Sequence, residues 1–579
     1  MLFFWGIMMQ VLSAGAQSGN SLAVLPGAQS ANSLAILPGG TKALTLLPGE
    51  KWWGGAVTEG QLTPFEVGYS LDLNEGNRGN QAAPLLLSSA GRWVWSEQPF
   101  AFVLRKDSLI LSKNRDSIFI GQAGQTGQWG QTGQSGQPDR ASQSGQPDRA
   151  GQAGQTLAGA YREVSGRFFP ASGKMPDSLL IMRPQYNTWI ELIYNQNQSD
   201  ILKYSRAVID AGFPPGVFMI DDNWFDAYGR FRFRKDRFPD ASDMIRQLHH
   251  MGFKVMVWVS PFISPDNEVF READSQRIIL YDNKGQDTWQ NAKDPALIHW
   301  WNGYSAVLDF TNPAAVRWFD AKLRHMVDEY GIDGFKFDAG DAEFYPSSTV
   351  SYQKANPNEQ CMLWGLFGLE YPLNEYRAMW KRGGQPLAER LRDKYHTFED
   401  LQKLVPHTLM AGLLGYPFVC PDMIGGGDFS SFTGNKTINQ DLIVRSAQCQ
   451  ALMPMMQFSV APWRVLDSVH LAAVKDAVAL RGRFAPRILQ LAGDAARSGT
   501  PIVRSLEYVF PHQGLENVKD EFMLGDDWLV APVLTASPRR KIVFPNGRWK
   551  DAQGHVFKGP GIKEWDVPLN ELPWFELVR

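Results

Sequence analysis

Carboxylate side chains follow several short apolar runs in the middle of the chain. VFMI (217–220) leads into Asp221 and Asp222, GFKF (334–337) into Asp338 with Asp341 close behind, and YPFVC (416–420) into Asp422. If these runs are parallel strands, their carboxyl ends open on one face and the carboxylates converge there. Convergent carboxylates in a chain with only 9 His suit two chemistries, glycoside hydrolysis by a carboxylate pair or catalysis by a divalent metal ion.

Neighbouring residues favour the first of these chemistries. Trp189, Trp224 and Trp258 lie at the ends of predicted strands, where they offer flat apolar platforms to pyranose rings. Strand side chains alternate with period two, so Lys336 points the same way as Asp338. A cation there would keep the carboxylate ionised and would repel a metal ion. For any single Asp of this set, a helix cap or a surface salt bridge is the competing interpretation.

The elements that must position these residues alternate between short apolar runs and longer helical segments from about residue 181 to 495. Ser199 is predicted to cap a helix that stops at Gly212, and Asn312-Pro313 to open another that ends at Gly331. The strand-like runs, VFMI, KVMVWVS (254–260), AVLDF (306–310), GFKF and YPFVC, look buried on both faces. This alternation predicts an α/β fold with a parallel (β/α)8 barrel.

The flanking segments have different patterns. Residues 1–16 resemble a signal peptide, which predicts a secreted or periplasmic protein, and 17–49 hold a strand duplicated as AQSGNSLAVLPG and AQSANSLAILPG plus a degenerate third copy. We expect only the third copy to join the fold. Residues 50–180 predict an N-terminal β-sandwich with a disordered Gly/Gln-rich insert at 121–155, and 496–579 predict a C-terminal β-domain.

Composition excludes several classes of protein. Lys plus Arg number 57 against 60 Asp plus Glu, a net charge of −3 without long charge runs, so no nucleic-acid partner is expected. After residue 16 no apolar stretch reaches the ~18–20 residues of a membrane span. The three cysteines, at 361, 420 and 449, are too few and scattered for a disulfide scaffold or a metal site. We therefore expect no cofactor and no metal, and the oligomeric state stays open.

The run GIDGFKFDAGDAEF (331–344) resembles the nucleophile segment of glycoside hydrolase family 31, most closely its α-galactosidase-like branch. Further similar segments occur in family order, at residues 80–100, 214–266, 415–428 and 521–534. The resemblance implies a retaining exo-acting α-glycosidase acting on an oligosaccharide or glycoside. α-Galactosides are the first expected substrates and α-glucosides the next; a carbohydrate-binding protein without catalysis is the alternative.

The resemblance also implies roles for individual residues. Asp338 matches the nucleophile and Asp393 the general acid/base, although the family's usual Trp-x-Gly-Asp reads Arg390-Leu391-Arg392-Asp393 here. Glu389, Glu399 and Asp400 compete with Asp393, and Lys381, Arg382 and Arg390 with Arg377 as the sugar-binding arginine. A histidine typical of the family's α-glucosidases is replaced by Ser459. The full set expected to bind or position substrate is Asp221, Asp222, Trp258, Lys336, Asp341, Arg377, Arg390 and Asp422.

Overall fold

The computed structural model describes residues 34–36, 40–124, 154–285, 288–434 and 436–579. The predicted signal peptide, the first strand copy and most of the Gly/Gln-rich insert lie outside these residues. The chain divides into two compact units, one drawn from 1–52, 65–74 and 84–160, the other from 53–64, 75–83 and 161–579. No helix among the described residues is both long enough and apolar enough to cross a membrane.

The N-terminal strands form antiparallel sheets. They are β1 (Leu34–Ile36), β2 (Lys42–Thr45), β3 (Trp52–Ala56), β4 (Ser70–Asp72), β5 (Gln81–Ser88), β6 (Arg92–Ser96), β7 (Ala101–Leu104), β8 (Ser108–Ser112) and β9 (Ile118–Gln122). One sheet has the order β1-β2-β8-β7-β4, and a second contains β5-β6-β9. Because β1 comes from the second copy of the duplicated strand and pairs with β2 from the third, the expectation that only the third copy joins the fold was wrong. The start predicted for the Gly/Gln-rich insert, residue 121, is also too early, because Gly121 and Gln122 belong to β9.

The remaining strands fall into the barrel, small hairpins and a C-terminal sheet. They are β10 (Gln185–Asn187), β11 (Val217–Ile220), β12 (Lys254–Val259), β13 (Phe262–Ile263), β14 (Tyr281–Asp282), β15 (Leu297–Trp300), β16 (Gly303–Val307), β17 (Gly334–Phe337), β18 (Thr349–Val350), β19 (Asn374–Tyr376), β20 (Met379–Trp380), β21 (Glu389–Arg390), β22 (Val419–Cys420), β23 (Gln457–Phe458), β24 (Val503–Arg504), β25 (Phe522–Leu524), β26 (Trp528–Val530), β27 (Arg539–Lys550), β28 (Val556–Asp566) and β29 (Trp574–Val578).

Eight parallel strands form the predicted barrel, in the order β22-β21-β19-β17-β12-β11-β10-β23. A parallel bridge between Met423 and Gln457 nearly closes the ring. The fold class is therefore confirmed. The run AVLDF was wrongly assigned to the barrel, because β16 lies in an antiparallel sheet with β13 and β15 beyond the end of β12.

Helices cover the barrel. The α-helices are α1 (Leu157–Phe168), α2 (Leu179–Met182), α3 (Trp189–Leu192), α4 (Gln198–Asp210), α5 (Ala241–His250), α6 (Glu268–Ser275), α7 (Pro313–Tyr330), α8 (Pro357–Phe367), α9 (Phe398–Leu401), α10 (Leu404–Leu413), α11 (Gln440–Ala451), α12 (Pro462–Val465), α13 (Ser468–Ser498) and α14 (Leu506–Val509). Short 3₁₀ turns span Val57–Leu62, Leu73–Glu75, Ala342–Phe344, Gly368–Glu370 and Phe429–Ser431.

Local sequence explains the helix ends. Asn312 caps α7 by accepting the N–H of Ala314, and Gly331 ends it at φ 77°, as predicted. The cap of α4 is Asn197 rather than Ser199, because the Asn197 side chain accepts the N–H of Asp200. At the C-terminus, six antiparallel strands in the order β24-β25-β26-β29-β27-β28 pack around buried apolar residues that include Met523, Phe544 and Trp549.

Candidate active site

Asp338 lies immediately after barrel strand β17 and is held at both carboxylate oxygens. The Trp258 Nε1 donates to Oδ2 at 2.9 Å, and the backbone N–H of Ala339 donates to Oδ1 at 2.8 Å. Its own N–H donates to the carbonyl of Val259, which continues the pairing of β17 with β12. The carboxylate is thus buried and fixed at the carboxyl end of the barrel.

Positive charge surrounds this carboxylate. Burial alone would raise the pKa of Asp338, but Arg377, Lys336 and Arg390 together hold it well below its usual range. The Arg377 Nε lies 3.2 Å from Oδ1 and the Lys336 Nζ 3.8 Å from Oδ2. Asp338 is therefore an ionised, desolvated carboxylate, the form that a nucleophile requires.

Lys336 shares a face with Asp338, as strand alternation predicted. Its Nζ lies 2.7 Å from Oδ2 of Asp221, the first acidic residue after β11. Asp221 in turn donates its backbone N–H to the Thr188 hydroxyl at 2.9 Å. The ammonium group therefore links the ends of two barrel strands.

Asp222 donates its backbone N–H to Oδ1 of Asp221 at 2.9 Å and has further polar partners of its own. The Asn302 Nδ2 donates to its Oδ2 at 2.7 Å, and the Tyr228 hydroxyl lies 3.0 Å from the same oxygen. Burial, followed by the negative charge of Asp221, raises the pKa of Asp222 to about 7. Neither Asn302 nor Tyr228 was predicted as a site residue, since neither follows a barrel strand directly.

Arg377 connects two of the predicted carboxylates. It pairs with both Asp338 and Asp341, and its guanidinium lies 4.9 Å from the ring centre of Trp301. Arg377, rather than the alternatives Lys381 and Arg382, makes these ion pairs. Trp301 lies in the turn between β15 and β16 and keeps 45% of its surface exposed. It was not among the site residues predicted from the sequence.

Asp393 lies in the loop after β21 and contacts Arg390. The Arg390 Nη1 lies 2.6 Å from Oδ1 of Asp393 and 3.0 Å from Oδ1 of Asp422. Asp393 retains 35% of its side-chain exposure, whereas Arg390 retains 2%. Arg390 thus pairs with two carboxylates, and its predicted role as a sugar ligand stays a prediction. Burial, followed by the charge of Asp393, raises the pKa of Asp422 to about 7.

Gly427 leaves room for these two carboxylates. A Cβ at this position would lie 2.7 Å from Oδ1 of both Asp393 and Asp422. Its backbone N–H donates to Oδ2 of Asp422 at 3.1 Å, and its carbonyl accepts the Trp189 indole N–H at 3.1 Å.

The competitors of Asp393 lie elsewhere. Glu389 alternates with Arg390 on β21 and accepts from Gln81 Nε2 at 3.0 Å. Glu399 is exposed on α9, and Asp400 accepts the N–H of Tyr395 at 2.6 Å. Of these four carboxylates, Asp393 is the one paired with Arg390.

Two further sets of polar contacts support the arginines of the site, and neither was predicted from the sequence. Gln457 Nε2 donates to Glu375 at 2.7 Å, and Glu375 lies 3.5 Å from the Arg390 Nε. Asn80 donates to the carbonyls of Arg377 and Arg390 at 2.7 and 3.1 Å, which fixes the backbone of both arginines.

Two of the three tryptophans predicted to offer platforms to a sugar ring do not expose their ring faces. Trp224 and Trp258 are almost completely buried, so neither presents a ring face to solvent, and Trp258 acts instead as a donor to Asp338. Trp189 is only half-buried. Ser459 is fully buried, and its hydroxyl accepts the N–H of Ile190 at 2.7 Å.

The acidic residues are already paired with cations or amide groups of the chain. Among the residues described, no group of three or more His, Cys, Asp or Glu is placed to hold a metal ion. A carboxylate flanked by Lys336 and Arg377 suits direct attack on carbon better than coordination of a cation.

Family models match most of the second unit. One described as "Glycosyl hydrolases family 31 TIM-barrel domain" matches residues 183–491, and one described as "Glycosyl hydrolase family 31 C-terminal domain" matches residues 499–576.

Sequence identities to individual proteins are consistent with the match to the family models. The chain is 33% identical over 425 residues to the myogenesis-regulating glycosidase of Mus musculus, covering 71% of this chain and 58% of the relative. It is 26% identical over 458 residues to alpha-xylosidase XylQ of Lactiplantibacillus pentosus, covering 72% and 56%. The chain thus spans little more than half the length of these curated relatives.

Among solved structures, the GH31 dextranase of Flavobacterium johnsoniae complexed with glucose superimposes with a TM-score of 0.76 at 18% identity. The match covers 95% of this chain and 68% of the dextranase. At this identity the likeness supports the fold alone.

Proposed function

Because the chain belongs to glycoside hydrolase family 31, we propose that it is a retaining exo-acting α-glycosidase that removes terminal α-linked sugars from oligosaccharides or glycosides. One observation carries the proposal. Asp338 is a buried carboxylate kept ionised by Arg377 and Lys336 at the carboxyl end of a barrel strand, where substrates of such barrels bind.

In the first step, Asp338 attacks the anomeric carbon while Asp393, protonated, gives its proton to the departing glycosidic oxygen. The C–O bond to the leaving group breaks as the bond to Asp338 forms. Arg390 is shared between Asp393 and Asp422, so Asp422 offers this cation a second carboxylate when Asp393 carries its proton.

In the second step, ionised Asp393 removes a proton from water, whose oxygen attacks the anomeric carbon and releases Asp338. Two inversions leave the sugar with its original α configuration. The two carboxyl groups of such enzymes lie about 5–5.5 Å apart.

We infer α-galactosides as the first substrates and α-glucosides as the next. The support is Ser459, which occupies the position of a histidine typical of the family's α-glucosidases and whose hydroxyl accepts a backbone N–H instead. Asp221, Asp222 and Lys336 remain to bind the outer hydroxyls of the sugar. The relatives named above include an alpha-xylosidase, so α-xylosides belong in any comparison.

The test is hydrolysis of nitrophenyl α-galactoside, α-glucoside and α-xyloside by the full chain, with NMR of the first-formed sugar. We expect the highest kcat/KM on the α-galactoside and initial release of the α-anomer. Initial release of the β-anomer would refute the retaining mechanism. Binding of these sugars without any hydrolysis would instead support a carbohydrate-binding protein.

A further inference from the structure

The loop that carries Asp393, here called the acid/base loop, consists of residues 391–397 and connects β21 to α9. Beside it lies the glycine-rich loop, residues 421–428, which follows β22. The two loops are joined through the backbone, because the carbonyl of Lys394 accepts the N–H of Asp428 at 3.0 Å. The position of the acid/base loop therefore depends on its contacts with this neighbour.

His396, three residues after Asp393, makes further contacts of the acid/base loop. Its Nδ1 lies 2.8 Å from the carbonyl oxygen of Gly425, and its Nε2 accepts the N–H of Asn439, the cap residue of α11, at 3.0 Å. The backbone N–H of His396 donates to the Ser431 hydroxyl at 3.1 Å. One residue thus ties the acid/base loop to two other segments of the chain.

These contacts set the protonation state of the His396 ring. Nε2 faces an N–H donor, so it is the unprotonated nitrogen, and Nδ1 carries the hydrogen that is donated to the Gly425 carbonyl. Burial lowers the pKa of His396 from its ordinary value, which favours the neutral ring. Both contacts therefore require a side chain with one donor and one acceptor at the spacing of an imidazole.

Two glycines allow the loops to approach so closely. Gly425 has φ 86° and Gly426 has φ 104°, both in the region that favours glycine. A Cβ on Gly426 would lie 2.5 Å from the carbonyl oxygen of Lys394, and one on Gly425 would lie 3.5 Å from Nδ1 of His396. The loops pack backbone against backbone, so a shift of one must move the other.

We propose that His396 is a positioning residue for the general acid/base, because its neutral ring holds the acid/base loop where the Asp393 carboxyl group can reach the leaving oxygen. The inference rests on the proposed function, since His396 acts only through Asp393. Without the two ring contacts, Asp393 would be misplaced while Asp338 keeps its own partners. Only the steps that transfer a proton through Asp393 would then slow down.

The test compares substrates that differ in their need for a proton, with kcat/KM as the measure of the first bond cleavage. His396→Ala should lower kcat/KM about tenfold on a disaccharide, whose leaving oxygen must be protonated. On the dinitrophenyl glycoside of the same sugar, whose phenolate leaves unprotonated, kcat/KM should stay within twofold of wild type. A general loosening of the barrel would lower both equally.

Conservative variants separate the two ring contacts. His396→Asn keeps a donor for the Gly425 carbonyl, and His396→Gln keeps an acceptor for the Asn439 N–H, so each should recover part of the loss on the disaccharide. His250→Ala is the matched control. The Nδ1 of His250 also lies close to a backbone carbonyl oxygen, that of Arg246 at 2.7 Å, but it is exposed at the end of α5, just before β12. Both substrates should be hydrolysed by this variant as by wild type.

Equal losses on the two substrates, or no loss on either, would overturn the inference and leave the glycosidase intact. If His396→Ala does not fold, His396→Asn and His396→Gln decide by the same comparison, since a loss confined to the disaccharide supports the role and any other pattern refutes it. A wild-type protein inactive on both substrates would overturn the proposed function itself and the inference with it.

Discussion

The indole N–H of Trp258 donates to Oδ2 of Asp338 at 2.9 Å, across two neighbouring strands of the barrel. The donor is buried and comes from a rigid strand, so the orientation of the carboxylate is set before substrate binds. Such preorganisation lowers the reorganisation needed at the moment of attack.

Asp338→Asn should remove activity while preserving the fold, because the amide has the same shape but cannot form the glycosyl-enzyme bond. We expect kcat for a nitrophenyl glycoside to fall at least ~10⁴-fold. Circular dichroism and thermal melting report the fold. Asp226→Asn, at an exposed carboxylate, is the control. Turnover by Asp338→Asn close to the wild-type rate would exclude Asp338 as the nucleophile.

Asp393→Ala should slow hydrolysis in proportion to how much the leaving group needs protonation. We expect a ~10²–10⁴-fold loss on a disaccharide and a smaller loss on a dinitrophenyl glycoside. Azide should restore turnover of the latter and yield the α-glycosyl azide. Glu399→Ala, at an exposed neighbour, should behave as wild type. Equal losses on both substrates without azide rescue would assign the acid/base elsewhere.

Asp222→Asn should change the pH dependence of stability. The pKa of Asp222 is about 7 in the folded protein and ~3.9 when unfolded. Between these values the folded state binds more protons, so wild-type stability falls as pH rises through this window. The free energy of unfolding of Asp222→Asn relative to wild type should therefore increase from pH 4 to 7, by at most ~1.4 kcal/mol per pH unit.

Urea unfolding at pH 5, 6, 7 and 8 measures this difference, with exposed Asp226→Asn as the reference. A difference between Asp222→Asn and wild type that is flat from pH 5 to 7 would show that Asp222 titrates normally.

Gly427→Ala should reduce activity, because the new methyl group would lie 2.7 Å from the carboxylates of Asp393 and Asp422 and must displace them. We expect kcat/KM to fall ~10-fold or more, as misplaced catalytic groups typically cause. Gly482→Ala, inside α13 with no atom within 4 Å of the new Cβ, should stabilise the protein by about 1 kcal/mol without changing activity. Kinetics and thermal melting of both variants separate the two effects, and unchanged kinetics of Gly427→Ala would contradict the crowding.

Several features could be predicted from sequence because they depend on short-range pattern. Lys336 and Asp338 share a face through strand alternation, and α7 has both its cap and its terminal glycine. The barrel strands β19, β21 and β23 were not recognised, because two or three residues are too few to establish a period.

Other features depend on contacts between distant segments. The pairing of Arg390 with Asp422, and that of Asn302 with Asp222, arise only when loops from different barrel strands meet. AVLDF resembles the barrel strands in composition, and only its antiparallel partners distinguish it. Trp258 was predicted as a sugar platform, whereas its burial and its role as a donor to Asp338 depend on packing that the sequence pattern does not specify.

The contacts of Gln81 with Arg377 and Arg390 impose an order on biosynthesis. Gln81 is synthesised first, and Arg390, whose carbonyl accepts from the Gln81 side chain, is added 309 residues later. At ~5–20 residues per second that interval is roughly 15–60 s. During translation the edge of β5 is thus without its parallel neighbour β20, and the arginines of the site gain their backbone support only after β21 has been made.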